Sequence, residues 1–262
     1  MILRLCATST AARCAGCNCC AITPVPSSRA AWRRWTMYSR VPIRVRLPYK
    51  DAFAMLKLHH LNHSRSFRVF WLLEELGLPF EVVHHARHPE TRMGPPALKS
   101  AHPIGKSPAL ETEDGTIVES GAIIDFILRR HGGGALAPAN DSPHLLRYLE
   151  WMNIAVSIGT TPIMLKVYGL AAGLAGTEFD QRADAEFTGV LNYIEQSLEG
   201  HDYLVGDAFT AADIQVSFIA ELARALIGIA AYPNMSAWLQ RLHARPAFRA
   251  SIEKGGEYAY AS

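Results

Sequence analysis

The sequence predicts a small α/β domain built on a four-stranded mixed sheet, followed by an all-helical domain. Three observations carry that expectation. Strand-like and helix-like segments alternate from Met55 to about residue 131, and strand signals then disappear from the chain. Between the two patterns lies a stretch rich in Gly, Ala, Pro and Asn.

Residues 55–61, Met-Leu-Lys-Leu-His-His-Leu, read as a buried strand. Residues 64–76 read as a helix, with Phe67, Phe70, Trp71 and Leu73 at helical spacing and Gly77 closing it. Residues 79–85 read as a second strand, and a helix of this length between two strands implies parallel pairing. A loop rich in Pro and Gly spans 89–103. Strands at 108–112 and 116–118 follow, joined by Glu113-Asp114-Gly115, whose Asp-Gly step is a hairpin signal. Residues 120–130 read as a helix ended by Gly132-Gly133-Gly134. Beyond the linker, residues 144–170, 178–198, 211–231 and 235–245 all read as helices. The third has a clear start: Thr210 as N-cap, Asp213 as the capping-box acid, and Phe209 and Ile214 at the staple positions. Thr210 and Asp213 therefore read as partners for orphan backbone N–H groups, not as chemistry.

Charge and cysteine divide the chain sharply. The net charge of +2 averages two unlike parts. Residues 1–50 hold nine Lys or Arg and no Asp or Glu, whereas residues 55–262 hold 17 basic and 23 acidic residues. A mildly acidic core argues against nucleic acid as a partner, because phosphate binding needs clustered basic charge. All five cysteines lie in the first twenty residues. They lack a second Cys/His pair at finger spacing, and the core has neither disulfide nor cysteine nucleophile. Residues 1–54 read as a disordered basic leader. Met55 is then the functional start of a cytoplasmic protein, or the leader is a transit peptide to mitochondria. The most apolar stretch, 214–231, is interrupted by Glu221 and Arg224, so no membrane span is expected. His59, His60, His63, His84, His85 and His88 read as surface and turn histidines, since neighbours on a strand face opposite sides. No metal is expected.

Four motifs then stand in order. The first is Leu61-Asn62-His63-Ser64-Arg65-Ser66-Phe67-Arg68, running into Trp71-Leu72-Leu73-Glu74-Glu75-Leu76. The second is Gly105-Lys106-Ser107-Pro108-Ala109-Leu110, and the third is Glu119-Ser120-Gly121-Ala122-Ile123, eleven residues on from proline to acid. The fourth is Phe209-Thr210-Ala211-Ala212-Asp213. With the order of elements, residues 55–262 resemble the glutathione S-transferase superfamily, in its cytosolic, serine-class-like bacterial and fungal form. The resemblance implies a thioredoxin-like glutathione-binding domain over 55–133, a linker over 134–143 and an all-α domain over 144–262. It implies glutathione as co-substrate, a small apolar electrophile as second substrate, no metal cofactor and a homodimer. Peroxidase, isomerase or dehalogenase chemistry on the same site is an alternative, as is a non-catalytic glutathione-binding module.

The resemblance also implies roles for residues. Ser107 and a cis Pro108 would offer backbone to the cysteinyl residue of glutathione. Ser120, at a helix N-terminus, would hold the γ-glutamyl carboxylate with Glu119 beside the ligand's charged end. Lys106 would contact the ligand backbone or its glycine carboxylate. The superfamily activates the thiol with Tyr, Ser or Cys near the end of the first strand. The core has no cysteine, and no tyrosine stands between Lys50 and Arg147. Ser64 is then the first choice for activator and Ser66 the second, with Asn62 a less usual donor. Arg65 and Arg68 read as solvated helix charges. Trp151, Met152, Tyr168 and Phe179 read as lining or packing near the second-substrate cleft.

Overall fold

The computed structural model describes residues 55–260. The leader, with its cysteines and basic charge, lies outside the described residues.

Four strands form one sheet in the order β2 (Phe80–His85), β1 (Leu56–Leu61), β3 (Ala109–Thr112), β4 (Gly115–Val118). β1 runs parallel to β2, with Leu56 opposite Phe80 and Leu61 opposite His85. It runs antiparallel to β3, with His59 opposite Ala109. β3 and β4 close a hairpin in which Ala109 faces Val118. This is the four-stranded mixed sheet that the sequence predicts. α1 (Ser66–Glu75) connects β1 to β2, and α3 (Ser120–His131) follows β4. Phe67, Phe70, Trp71, Leu72 and Leu73 are buried along α1, as the helical spacing of the apolar residues requires.

Several element boundaries differ from the sequence expectation. α1 begins two residues late, because Ser64 Oγ accepts the Ser66 N–H at 3.2 Å and holds the chain in a turn first. A short helix, α2 (Leu98–Ala101), sits inside the expected loop, pinned by Leu98, which is 1 % exposed. The expected helix 144–170 is two helices, α4 (Leu145–Ile154) and α5 (Thr161–Ala171). The break falls at Gly159, where a Cβ would stand 2.5 Å from Ile219 Cδ1, and at Pro162 in the first turn of α5.

The remaining helices are α6 (Glu178–Ser197), α7 (Ala211–Leu226), α8 (Pro233–His243) and α9 (Pro246–Gly255). α7 ends earlier than expected, with Gly228 at φ +77 just beyond its cap. α9 is an element that the sequence reading did not include. It starts at Pro246, whose fixed φ suits a first helical turn, and buries Phe248 against Phe67 and Trp71. Arg245, its N-cap, forks onto Glu75 at 2.6 and 2.9 Å, and Lys254 reaches Glu74 at 2.8 Å. α7 is buried on all sides from Ala211 to Ala223 and forms the centre of the helical part. Among the described residues no helix is long and apolar enough to cross a membrane.

Candidate functional site

The register brings three motifs to one end of the sheet. β1 finishes at Leu61 and runs into Asn62, His63 and Ser64. β3 is antiparallel to β1, so its entry, Ser107-Pro108, lies at that same end, where Ser107 Oγ donates to the His59 carbonyl at 2.9 Å. β4 is antiparallel to β3, so its exit, Glu119-Ser120, lies there as well. The Ser107-Pro108 peptide bond is cis. Pro108 is buried, whereas Lys106 is exposed.

Glu119 is the N-cap of α3 and holds φ 72, ψ 117, without a side-chain cap bond. A non-glycine residue at such a φ costs about 1–3 kcal/mol and persists where its surroundings enforce it. Ser120 follows, 2 % exposed, and its Oγ accepts from Arg68 Nη1 at 3.3 Å.

The β1–α1 turn is closed by a chain of polar contacts. Burial pushes the His60 imidazole down to about 4, with the Gly255 carbonyl drawing it the other way. His60 Nδ1 stands 2.9 Å from Ser66 Oγ. Ser66 Oγ in turn accepts the Leu61 N–H at 3.1 Å. Ser64 Oγ stands 2.8 Å from both Ser66 Oγ and the Leu61 carbonyl. Ser66 is fully buried and Ser64 is 5 % exposed. Asn62 is half-buried, and its Oδ1 accepts the Arg87 N–H at 3.0 Å, which leaves the amide NH2 as its donor end. The Arg87 guanidinium also binds the Asn62 and His63 carbonyls. From the other side, the Ala259 N–H donates to His63 Nδ1 at 2.9 Å, and the Tyr258 ring stacks on Phe67 at 4.0 Å.

Several expected placements are corrected. Arg68 is not a solvated helix charge: it is 1 % exposed, with its guanidinium 4.9 Å from the Phe218 ring centre. Burial lowers it to about 9, so it stays charged at neutral pH. His59 and His60 are buried, not surface residues. His59 pairs through Nε2 with Glu111 Oε1 at 2.6 Å and through Nδ1 with His85 Nε2 at 3.0 Å. Among the described residues, no three His, Cys, Asp or Glu side chains are grouped to hold a metal. Trp151 and Met152 belong to the core, whereas Tyr168 and Phe179 are exposed. Thr210 and Asp213 form the capping box at the start of α7, and Asp213 Oδ1 also accepts from Leu204 N–H and Trp238 Nε1. The sequence reading missed Arg68 and also Gln215, which is fully buried on α7 beside Gly121. A polar residue inside the apolar run of α7 was the available signal for Gln215.

Comparison with known proteins agrees with this architecture. The model of the glutathione S-transferase N-terminal domain matches residues 54–129, and that of the C-terminal domain matches residues 160–246. Glutathione S-transferase 3 of Schizosaccharomyces pombe is 32% identical over 216 residues, covering 76% of this chain and 88% of that protein. Glutathione S-transferase 1 of Saccharomyces cerevisiae is 28% identical and covers 78% and 96%. A crystal structure of a glutathione S-transferase from Actinobacillus pleuropneumoniae superposes with a TM-score of 0.74 at 31% identity, covering 79% of this chain and 96% of that one. A thioredoxin-like sheet domain joined to a helical domain, with a cis proline at the sheet end, defines the fold class. Within it, the chain belongs to the glutathione S-transferase family.

Proposed function

We propose that this chain binds glutathione across the sheet end formed by β1, β3 and β4, and activates its thiol at the β1–α1 turn. The convergence of Asn62–Ser64, Ser107-Pro108 and Glu119-Ser120 at that one end carries the reading. A sphingomonad glutathione S-transferase, 27% identical over a fold with a TM-score of 0.62, was solved in complex with glutathione, and this supports it. The Ser107 backbone pairs with the cysteinyl residue as an added strand would. Ser120 and the first N–H groups of α3 take the γ-glutamyl carboxylate, with Glu119 beside that charged end. Lys106, exposed at the rim, meets the glycine carboxylate.

A free thiol has a pKa of about 8.5, so only a few per cent is thiolate at neutral pH. Ser64 Oγ, turned by one rotamer away from the Leu61 carbonyl, donates to the sulfur. The positive end of α1 adds to the effect. Ser66 is closed in beneath it and holds the turn. The thiolate then forms a C–S bond to an electrophilic carbon of a small apolar substrate, whose leaving group departs with the electron pair. The enzyme works as a homodimer on this reading. One observation favours a second donor: the Asn62 amide presents its NH2 without a rotamer change, because Arg87 already fixes its oxygen.

Difference absorbance of the bound thiolate against pH tests both, using the full chain and its Ser64→Ala, Ser66→Ala and Asn62→Ala variants. A thiolate pKa below that of free glutathione in the wild type, restored to the free value in Ser64→Ala, supports Ser64. Restoration in Asn62→Ala alone moves the role to Asn62. Binding with an unshifted pKa in every protein sinks thiol activation and leaves a binding module.

A further inference from the structure

Arg87, just beyond β2, directs its hydrogen bonds to neutral oxygens around the β1–α1 turn. Its backbone N–H donates to Asn62 Oδ1 at 3.0 Å and its Nε to the Asn62 carbonyl at 3.2 Å. Nη2 donates to the His63 carbonyl at 3.3 Å and Nη1 to the Arg92 carbonyl at 2.9 Å. Among the described residues no carboxylate pairs with this half-buried guanidinium. Two successive carbonyls, those of Asn62 and His63, thus point to one neighbour. In an extended strand successive carbonyls alternate sides. His63 instead holds φ 50, and both carbonyls lie on the β2 side, where Arg87 follows His85. The C-terminal segment holds the same turn from elsewhere, through the Ala259 N–H on His63 Nδ1.

Peptide geometry fixes what that grip leaves on the other side. Both peptide units are trans, so each N–H points away from the carbonyl it adjoins. The His63 N–H opposes the Asn62 carbonyl, and the Ser64 N–H opposes the His63 carbonyl. With the carbonyls turned to β2, the two N–H groups turn toward the β3 side of β1, where Ser107-Pro108 enters. Among the described residues neither N–H has a hydrogen-bond partner. We propose that Arg87 is a positioning residue for the thiolate: by gripping two successive carbonyls it aims the His63 and Ser64 N–H groups at the sulfur, making the turn's backbone an anion hole beside the Ser64 hydroxyl. This rests on the glutathione reading above. Backbone donors held in this way are in place before the ligand arrives, whereas Ser64 Oγ must first leave the Leu61 carbonyl.

The test follows the thiolate absorbance of bound glutathione against pH in the full chain and its Arg87→Met and Arg87→Lys variants. Titration calorimetry with S-methylglutathione, which lacks only the ionisable thiol, runs beside it. Arg87→Met is expected to raise the pKa of the bound thiol by about one, a tenfold loss of thiolate at a fixed pH below it. S-methylglutathione should stay within about threefold of its wild-type affinity. Arg87→Lys keeps the charge, but one ammonium cannot fork onto both carbonyls. It is therefore expected to raise the thiol pKa by a similar amount, and it serves if Arg87→Met does not fold. Neither substitution removes Arg92 or Glu257, the other charges acting on His63. A wild-type thiol pKa in Arg87→Lys means that charge alone suffices, and overturns the positioning role. Parallel weakening of S-methylglutathione means that Arg87 only supports the fold, and overturns it too. A wild type that binds neither ligand, or whose bound thiol titrates like free glutathione, overturns the reading above, and the proposal with it.

Discussion

The starts of α7 and α3 solve the same problem in opposite ways. Each helix leaves backbone N–H groups without intrahelical partners. At α7 the chain closes the end with its own side chains. Asp213 accepts from the Thr210 N–H and hydroxyl on one oxygen and from the Leu204 N–H and Trp238 Nε1 on the other. At α3 the cap residue, Glu119, makes no side-chain cap bond and sits at φ 72, and the positive charge behind it keeps two nitrogens unpaired. One end is finished by the protein, and the other is left without a side-chain cap. The start of α1 lies between them, closed from inside by Ser64, Ser66 and His60 while its outer turn faces the site.

The contrast can be broken at its strongest point first. Asp213→Ala is expected to lower stability by about 3–5 kcal/mol, because truncation strands buried donors. The urea midpoint reads this, and a change under about 1 kcal/mol would remove the distinction between the two caps. The next effect is at His60. Its folded value lies near 4, below the unfolded value near 6.5, so the unfolded state holds more protons between those limits. Stability is therefore complete above about pH 6.5 and falls as pH drops toward 4, by about 3 kcal/mol in total. His60→Asn should flatten that part of the pH–stability curve, and a curve of unchanged slope would exclude His60 as its source.

Smaller effects sharpen the picture at α3. Ser120→Ala is expected to weaken glutathione about tenfold, or about 1.4 kcal/mol, while the urea midpoint stays nearly still. A stability loss as large as that of Asp213→Ala would mean that Ser120 is a structural cap after all. Glu119→Gly relieves a positive φ and should stabilise the free protein by about 1 kcal/mol while weakening glutathione several-fold. Differential scanning calorimetry with and without ligand separates the two effects.

The sheet was legible because its signals are local. Alternation, the Asp-Gly hairpin and the length of the intervening helix dictate four strands and their directions. The capping box at Thr210 and Asp213 was legible for the same reason. The break between α4 and α5 was not, since it depends on Gly159 meeting Ile219 from another helix. α2 and α9 depend on tertiary cover too: Leu98 anchors one, and the other lies on α1. Of the site, the serines, the cis proline and the Glu119-Ser120 step stood in recognisable motifs. Arg68 did not, because nothing along α1 distinguishes a solvated arginine from one roofed by Phe218.

The fork from Arg245 to Glu75 joins residues 170 positions apart. Glu75 also accepts the Trp71 indole N–H at 2.9 Å, and Phe248 covers Trp71 and Phe67. Much of the outer face of α1 therefore waits for α9. A chain made from its N-terminus completes the sheet long before that cover exists. Until the ribosome has released the segment around Phe248, Phe67 and Trp71 stay open to solvent and to other nascent chains. The final helix thus sets the moment at which this face of α1 stops being an aggregation hazard.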